Sequence, residues 1–304
     1  MSAAEAFLGG PDHDSMTFEE ISREVPAFLQ LGDQPERGSR TGMKADTSMA
    51  EMRTPSRELK ERLARGLANS LLPFFRRYPY RGPCSIFHLN VRGAYSPIDG
   101  LFYNRIPKAA NTTVSGILAE NSSYHRPFSG NRDKARMLRP AFMSRSQVDS
   151  LSTDAVFTFT VVRNPYARVL SAYQDKFLRG KPQLRRYASM MNCPDGQVPD
   201  FVEFCRFLDR GGLYLDAHWA PQSCLMLLPV PEFDLVAKVE TLDRDMATIM
   251  NRIWGITPTE KLKKAGTSTG ADGKLRAQYT DEAKDIVDRL YAGDFDAFGY
   301  EPTL

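Results

Sequence analysis

The chain has 304 residues, which is enough for one sizeable hydrophobic core and favours a single large catalytic domain. Its 40 lysines and arginines stand against 37 aspartates and glutamates, which gives a net charge of +3. That charge is too small to indicate general binding to nucleic acid or to a membrane surface, so an anionic ligand would need a local basic site.

The cysteines are widely spaced and form no CxxC pair, which argues against a zinc cluster and a thioredoxin-like site. No run of the sequence approaches the ~18 apolar residues of a membrane span, and the N-terminus lacks the basic-then-apolar order of a signal peptide. We therefore expect a cytoplasmic protein with reduced thiols and no transmembrane segment. The sequence does not indicate an oligomeric state.

The N-terminal part differs in composition from the rest of the chain. Residues 1–57 offer little to pack, so we predict a poorly ordered or loosely packed extension, followed by a catalytic domain over residues 58–304. The first helix of that domain should end at Pro73. Its leucines recur at helical spacing and predict a well-packed face: Leu59, Leu63, Leu67, Leu71 and Leu72.

Two strand–loop–helix units come next. The first is predicted as a strand over 101–106, a tight turn over 107–111 and a helix over 112–119. The second starts with the β-branched and aromatic run 155–162, which is typical of a strand buried on both faces of a parallel sheet. Asn164 is a good N-cap for the helix that follows.

The later segments continue this alternation. A helix is predicted over 200–209, a strand over 233–239 and a last helix over 281–291 with Thr280 as its cap. Strands that alternate with helices indicate an α/β fold. We therefore predict a P-loop-like parallel β-sheet flanked by helices on both faces.

The turn after the first strand carries the first candidate site. It begins at Lys108 and runs into a helix, so it presents backbone N–H groups and the positive end of the helix dipole to an anion. The lysine comes first in this turn, whereas nucleotide hydrolases place theirs after the glycines of GxxxxGK[ST], so an ordinary P-loop ATPase is disfavoured. As the alternative, Lys108 is a solvated turn lysine and Thr112 a plain N-cap.

The second candidate site follows the second strand. Arg163 stands at its carboxyl end, where open α/β sheets bind ligands, and Ser171 comes eight residues later on the next helix. An arginine beside a hydroxyl suits a second phosphate group.

Both segments resemble motifs of a known family. Residues 107–113 (PKAANTT) resemble the 5′-phosphosulfate loop, and residues 162–177 (VRNPYARVLSAYQDKF) the 3′-phosphate motif, of sulfotransferases that use 3′-phosphoadenosine 5′-phosphosulfate (PAPS). The likeness is strongest to the Golgi carbohydrate enzymes, which include chondroitin, dermatan and HNK-1 sulfotransferases. Residues 216–222 (DAHWAPQ), 239–242 (VETL) and 294–300 (DFDAFGY) resemble later landmarks of that group in the same order.

The resemblance implies a sulfotransferase-type fold, PAPS as the donor and a carbohydrate or other hydroxyl-bearing acceptor. It implies that Lys108 contacts the sulfate and its bridging oxygen, and that Arg163 and Ser171 bind the 3′-phosphate. The 5′-phosphate would be held by four loop residues: Ala110, Asn111, Thr112 and Thr113.

Sulfuryl transfer between oxygens needs positioning and cationic stabilisation, and one lysine can replace a magnesium clamp. No cluster of acidic residues suggests a divalent-ion site, so we expect no metal. The acceptor hydroxyl also needs a general base, for which His218 is the candidate. In the alternative reading, His218 is a structural residue beside a buried Trp219, and Glu240 is the carboxylate candidate for the base.

The segment 261–276 is rich in Lys, Gly, Ser and Thr, and is either a lid over the donor or a solvated loop.

Two other functions of the protein stay open. A kinase of a small molecule would use a similar sheet and phosphate cradle, and a protein that binds PAPS or its product could lack catalysis.

Overall fold

The computed structural model describes residues 55–122, 137–191, 197–258 and 275–304, with side chains from residue 58 onward. All described residues fall in one compact unit. The predicted extension over residues 1–57 lies outside the described residues, apart from its last three backbone positions. The predicted lid also lies outside them, apart from its last two residues.

The described strands and helices follow one another in a mixed order along the chain. The strands are β1 (Gly93–Ser96), β2 (Leu101–Asn104), β3 (Phe157–Val162) and β4 (Leu235–Lys238). The helices are α1 (Pro55–Leu71), α2 (Pro73–Arg77), α3 (Ile86–Asn90), α4 (Asn111–Asn121), α5 (Arg145–Ser150), α6 (Pro165–Tyr173), α7 (Pro182–Tyr187), α8 (Phe201–Asp209), α9 (Leu242–Trp254), α10 (Leu275–Gln278), α11 (Asp281–Leu290) and α12 (Ala292–Phe298).

Within the described residues the strands form one sheet in the order β1-β2-β3-β4. The pairs β2–β3 and β3–β4 are parallel, as the strand–helix alternation predicted. An antiparallel edge strand, β1, pairs with β2 and was not predicted. The feature of the sequence that indicates this hairpin is the turn dipeptide Asp99-Gly100. Gly100 has a φ of +60°, a left-handed conformation that favours glycine.

Helices cover both faces of the sheet. All six residues of β3 are buried, which confirms a strand enclosed on both sides. On one face, apolar residues of α4 and α9 pack against Tyr103 and Phe159, whose rings stack with centroids 4.8 Å apart. On the other face, Phe74 of α2 stacks on Phe102 with centroids 5.8 Å apart.

A second core surrounds the fully buried Trp219. Aromatic side chains of α7, of α8 and of the turn that follows α6 contact its ring, among them Tyr187, Phe204 and Phe177. The indole N–H donates to the Gly212 carbonyl at 2.9 Å. The chain around Trp219 is therefore fixed against α8 and against the turn that follows α6, and that turn is part of the second candidate motif.

The leucine stripe of α1 faces solvent, so the prediction of a well-packed leucine face is wrong. Its exposed fractions are Leu59 55%, Leu63 58%, Leu67 46% and Leu71 66%. The helix packs instead through a neighbouring side, where Ala64 and Ala68 are buried. Small side chains let that side approach the domain closely, and the leucines then project outward.

Candidate functional site

The first predicted turn lies between β2 and α4. Lys108 and Ala110 both adopt left-handed backbone conformations, with φ of +67° and +53°. Such conformations are uncommon outside glycine and concentrate at functional sites. Ala110, not Thr112, is the N-cap of α4. An alanine side chain accepts no hydrogen bond, so the N–H groups of the first turn suit an anionic ligand.

The two predicted motifs meet at the carboxyl end of the sheet. The buried Arg163 guanidinium donates to the Lys108 carbonyl at 3.3 Å. Gln222 holds the Arg163 backbone through two bonds of 2.9 Å, one to its N–H and one to its carbonyl. Asp294 in turn accepts from the Gln222 N–H at 2.7 Å. Two later landmarks of the sequence thus brace the strand end at Arg163.

Arg168 ties the first turn to the segment that contains His218. The Arg168 side chain on α6 is fully buried and donates to three backbone carbonyls. The acceptors are Pro107 at 2.9 Å, Ala220 at 2.8 Å and Ala217 at 3.0 Å. One rigid guanidinium therefore holds the residue before Lys108 and the residue before His218, and their positions are coupled.

His218 and Asp216 form a side-chain pair. The His218 Nδ1 lies 2.5 Å from Asp216 Oδ1, and Gln183 donates to Asp216 Oδ2 at 3.0 Å. Burial lowers the pKa of His218, although Asp216 opposes this effect. A carboxylate can only accept, so the neutral ring carries its proton on Nδ1 and keeps a lone pair on Nε2.

Lys108 is paired with an acid that the sequence analysis did not single out. Its Nζ lies 3.1 Å from Asp175 Oδ2, and the two side chains are only 15% and 17% exposed. The reading of Lys108 as a solvated turn lysine is therefore wrong. Asp175 lies in a π-helical turn, Gln174–Leu178, that continues α6. Such turns are rare and recur at functional sites.

The remaining candidates lie on the same loops and helices. Asn111 opens α4, and its Oδ1 accepts from Ser115 Oγ at 3.2 Å. Thr112 and Thr113 follow in the first turn. Ser171 lies on α6, as predicted, and is buried there.

Glu240, the alternative base, uses both carboxylate oxygens to hold structure. One accepts from the Asn164 N–H and the other from the Tyr300 hydroxyl, each at 2.8 Å. Asn164 is the N-cap of α6, as predicted, and accepts from the N–H of Tyr166. Glu240 thus stabilises the start of α6.

Three functional candidates were missed by sequence reasoning: Arg168, Asp175 and Asp216. Each of them lies inside a motif quoted in the sequence analysis, and that position could have marked it as a candidate. Among the residues that the structure describes, no cluster of three or more His, Cys, Asp or Glu side chains could hold a metal ion. No described helix is both long and apolar enough to cross a membrane.

Comparison with known proteins shows that this chain is similar to sulfotransferases. A family model described as the sulfotransferase family matches residues 94–301. Carbohydrate sulfotransferase 14 of Danio rerio is 31% identical over 109 residues, or 32% of this chain and 30% of the relative. The same enzyme of Mus musculus is 34% identical over 104 residues, or 31% of this chain and 28% of the relative. The chain thus spans less than a third of each relative. No solved structure matches.

Proposed function

The chain belongs to the sulfotransferase family, and we therefore propose that it transfers a sulfuryl group from PAPS to a hydroxyl group of a carbohydrate. The observation that carries the proposal is the contact between the two predicted donor motifs, in which the Arg163 guanidinium donates to the Lys108 carbonyl. The name of the relatives, carbohydrate sulfotransferase 14, supports a carbohydrate acceptor.

The residues at the carboxyl end of the sheet fit a donor with phosphate at both ends. The first turn of α4 offers N–H groups to the 5′-phosphate, and Arg163 and Ser171 would bind the 3′-phosphate. PAPS, when bound, supplies a sulfuryl group joined to a phosphate leaving group. The Lys108 ammonium would neutralise the negative charge that grows on the bridging oxygen.

The acceptor hydroxyl must lose its proton as it attacks. We assign His218 as the general base, because the bond from Nδ1 to Asp216 leaves a lone pair on Nε2. Asp216 then stabilises the imidazolium that forms when Nε2 takes the proton. Arg168 supports this role indirectly, since it holds the chain next to both Lys108 and His218.

A kinase is the weaker reading, since the loop lacks the Walker sequence and the family model is that of sulfotransferases. The other alternative is a protein that binds PAP, the desulfated product, without catalysis. Measuring sulfation beside PAP binding separates this function from that of an enzyme.

Mass spectrometry of candidate glycans after incubation with the protein and PAPS tests the proposal. We expect products heavier by the mass of one sulfuryl group (SO3), and no such products when PAPS is replaced by ATP. PAP binding measured by calorimetry on the same sample completes the test. Binding of PAP without sulfation of any glycan would favour the non-catalytic reading, and phosphorylated products with ATP would favour a kinase.

Arg163→Ala should weaken PAP binding roughly 10- to 100-fold, because it removes a charge-assisted contact to the 3′-phosphate. Calorimetry with PAP, adenosine 5′-phosphosulfate and ATP measures this directly. The wild type should bind PAP best, since the other two ligands lack the 3′-phosphate. Arg289→Ala, which removes a surface arginine paired with Asp209, is the matched control. Equal wild-type affinity for all three ligands would refute the donor assignment.

A further inference from the structure

Asp175 makes contacts that the proposed function leaves unexplained. Its carboxylate lies within 4 Å of three cations: Lys108 Nζ at 3.1 Å, Lys176 Nζ at 3.2 Å and Arg179 Nη1 at 3.7 Å. We propose that Asp175 determines donor selectivity by competing with the 5′ anionic group of the donor for the Lys108 ammonium. This inference rests on the proposed function, because it takes Lys108 as the residue that meets that group.

The competition follows from the chemistry of the pair. Lys108 and Asp175 are both largely withdrawn from water, so their attraction is screened less than that of a surface ion pair. A phosphate or sulfonate oxygen that approaches the same ammonium meets the Asp175 carboxylate as a like charge. A ligand must therefore carry a strong anion at this end to displace Asp175.

The carboxylate can give up Lys108 without being left unpaired. Lys176 and Arg179 contact it independently of Lys108. Burial alone would raise the pKa of Asp175, but the charges of Lys108 and Lys176 outweigh it and keep that pKa below its ordinary value. The two remaining cations hold the carboxylate ionised, so the exchange of partners at Lys108 costs no buried, uncompensated charge.

The position of Asp175 links both ends of the donor site. The π-helical turn that carries it directly continues α6, and α6 carries Ser171 of the 3′-phosphate motif. One continuous helical segment therefore presents a hydroxyl to one end of the donor and a competing carboxylate to the other. Adenosine 3′-monophosphate has no 5′ anion, so its affinity should not depend on Asp175. The affinity of PAP should depend on it.

Calorimetry on Asp175→Asn tests this inference with two ligands. We expect the variant to bind PAP about tenfold more tightly than the wild type, and adenosine 3′-monophosphate with unchanged affinity. Asp175→Ser should behave in the same way, and thermal unfolding checks that both variants are folded. Weaker or unchanged PAP binding in the folded variants would overturn the inference.

Lys108→Met provides the matched background. In a Lys108→Met protein, adding Asp175→Asn should leave PAP affinity unchanged, because the competition acts through Lys108. An equal gain in both backgrounds, or a gain for adenosine 3′-monophosphate as well, would show a general effect of charge and would also overturn the inference. A wild type that binds neither ligand would refute the proposed function itself.

Discussion

Replacing His218 with alanine should lower turnover roughly 10²–10⁴-fold and leave PAP affinity nearly unchanged. The reason is that, in the proposed mechanism, Nε2 takes the proton of the acceptor hydroxyl and does not contact the donor. Steady-state sulfation and calorimetry with PAP measure the two quantities separately. His218→Gln checks whether the ring is needed only to fill space, and His88→Ala on α3 is the matched control.

The pH dependence of kcat/KM gives a second test of the same role. Burial lowers the pKa of His218 from its ordinary value of 6.5, so turnover should persist below pH 6.5 before it falls on the acid side. Asp216 opposes that shift, so Asp216→Asn should move the acid limb to still lower pH while reducing the maximum rate. Unchanged turnover in His218→Ala would end the assignment, and a loss of folding in both His218 variants would support a structural role.

Lys108→Ala should reduce kcat roughly 10²–10³-fold, far more than it weakens PAP binding. Its charge matters most as the bridging oxygen becomes negative in the transition state, so the loss falls on the chemical step. Single-turnover sulfation beside PAP calorimetry separates the two effects. Lys181→Ala, which removes an exposed lysine at the start of α7, is the control and should change neither quantity. A Lys108→Ala protein that loses PAP binding and turnover in equal proportion would show a binding role alone.

The two strand–turn–helix units that carry the proposed donor motifs could be predicted because their signals are local. A buried β-branched strand, a capping residue such as Asn164 and a lysine or arginine at the strand end are neighbours in sequence. The structure bears out the strands and helices that were predicted on this basis, except that α12 follows the helix predicted to be the last.

Other features depend on contacts between distant residues, and no local pattern reports them. In the sequence, Arg168 is simply one residue of a predicted helix. Its role in holding two loops becomes clear only from its carbonyl partners, which are 49 to 61 residues away. Helical spacing showed that the leucines of α1 share a face, but the side of the helix that packs is decided by the rest of the domain. The strand β1, with the sequence GAYS, lacks the β-branched and aromatic run that marked β3.

The buried guanidinium of Arg168 also bears on how the site assembles. Its three acceptors lie 49, 52 and 61 residues away along the chain, so it closes large loops that fold slowly relative to local helices. If the segment around Ala217 and Ala220 detached, a buried positive charge would lose two of its acceptors at once. The loop of Lys108 and the segment of His218 therefore belong to one cooperative unit. A fragment that ends before residue 217 would contain both proposed donor motifs and the bond from Arg168 to Pro107, but its buried guanidinium would lack the acceptors at Ala217 and Ala220.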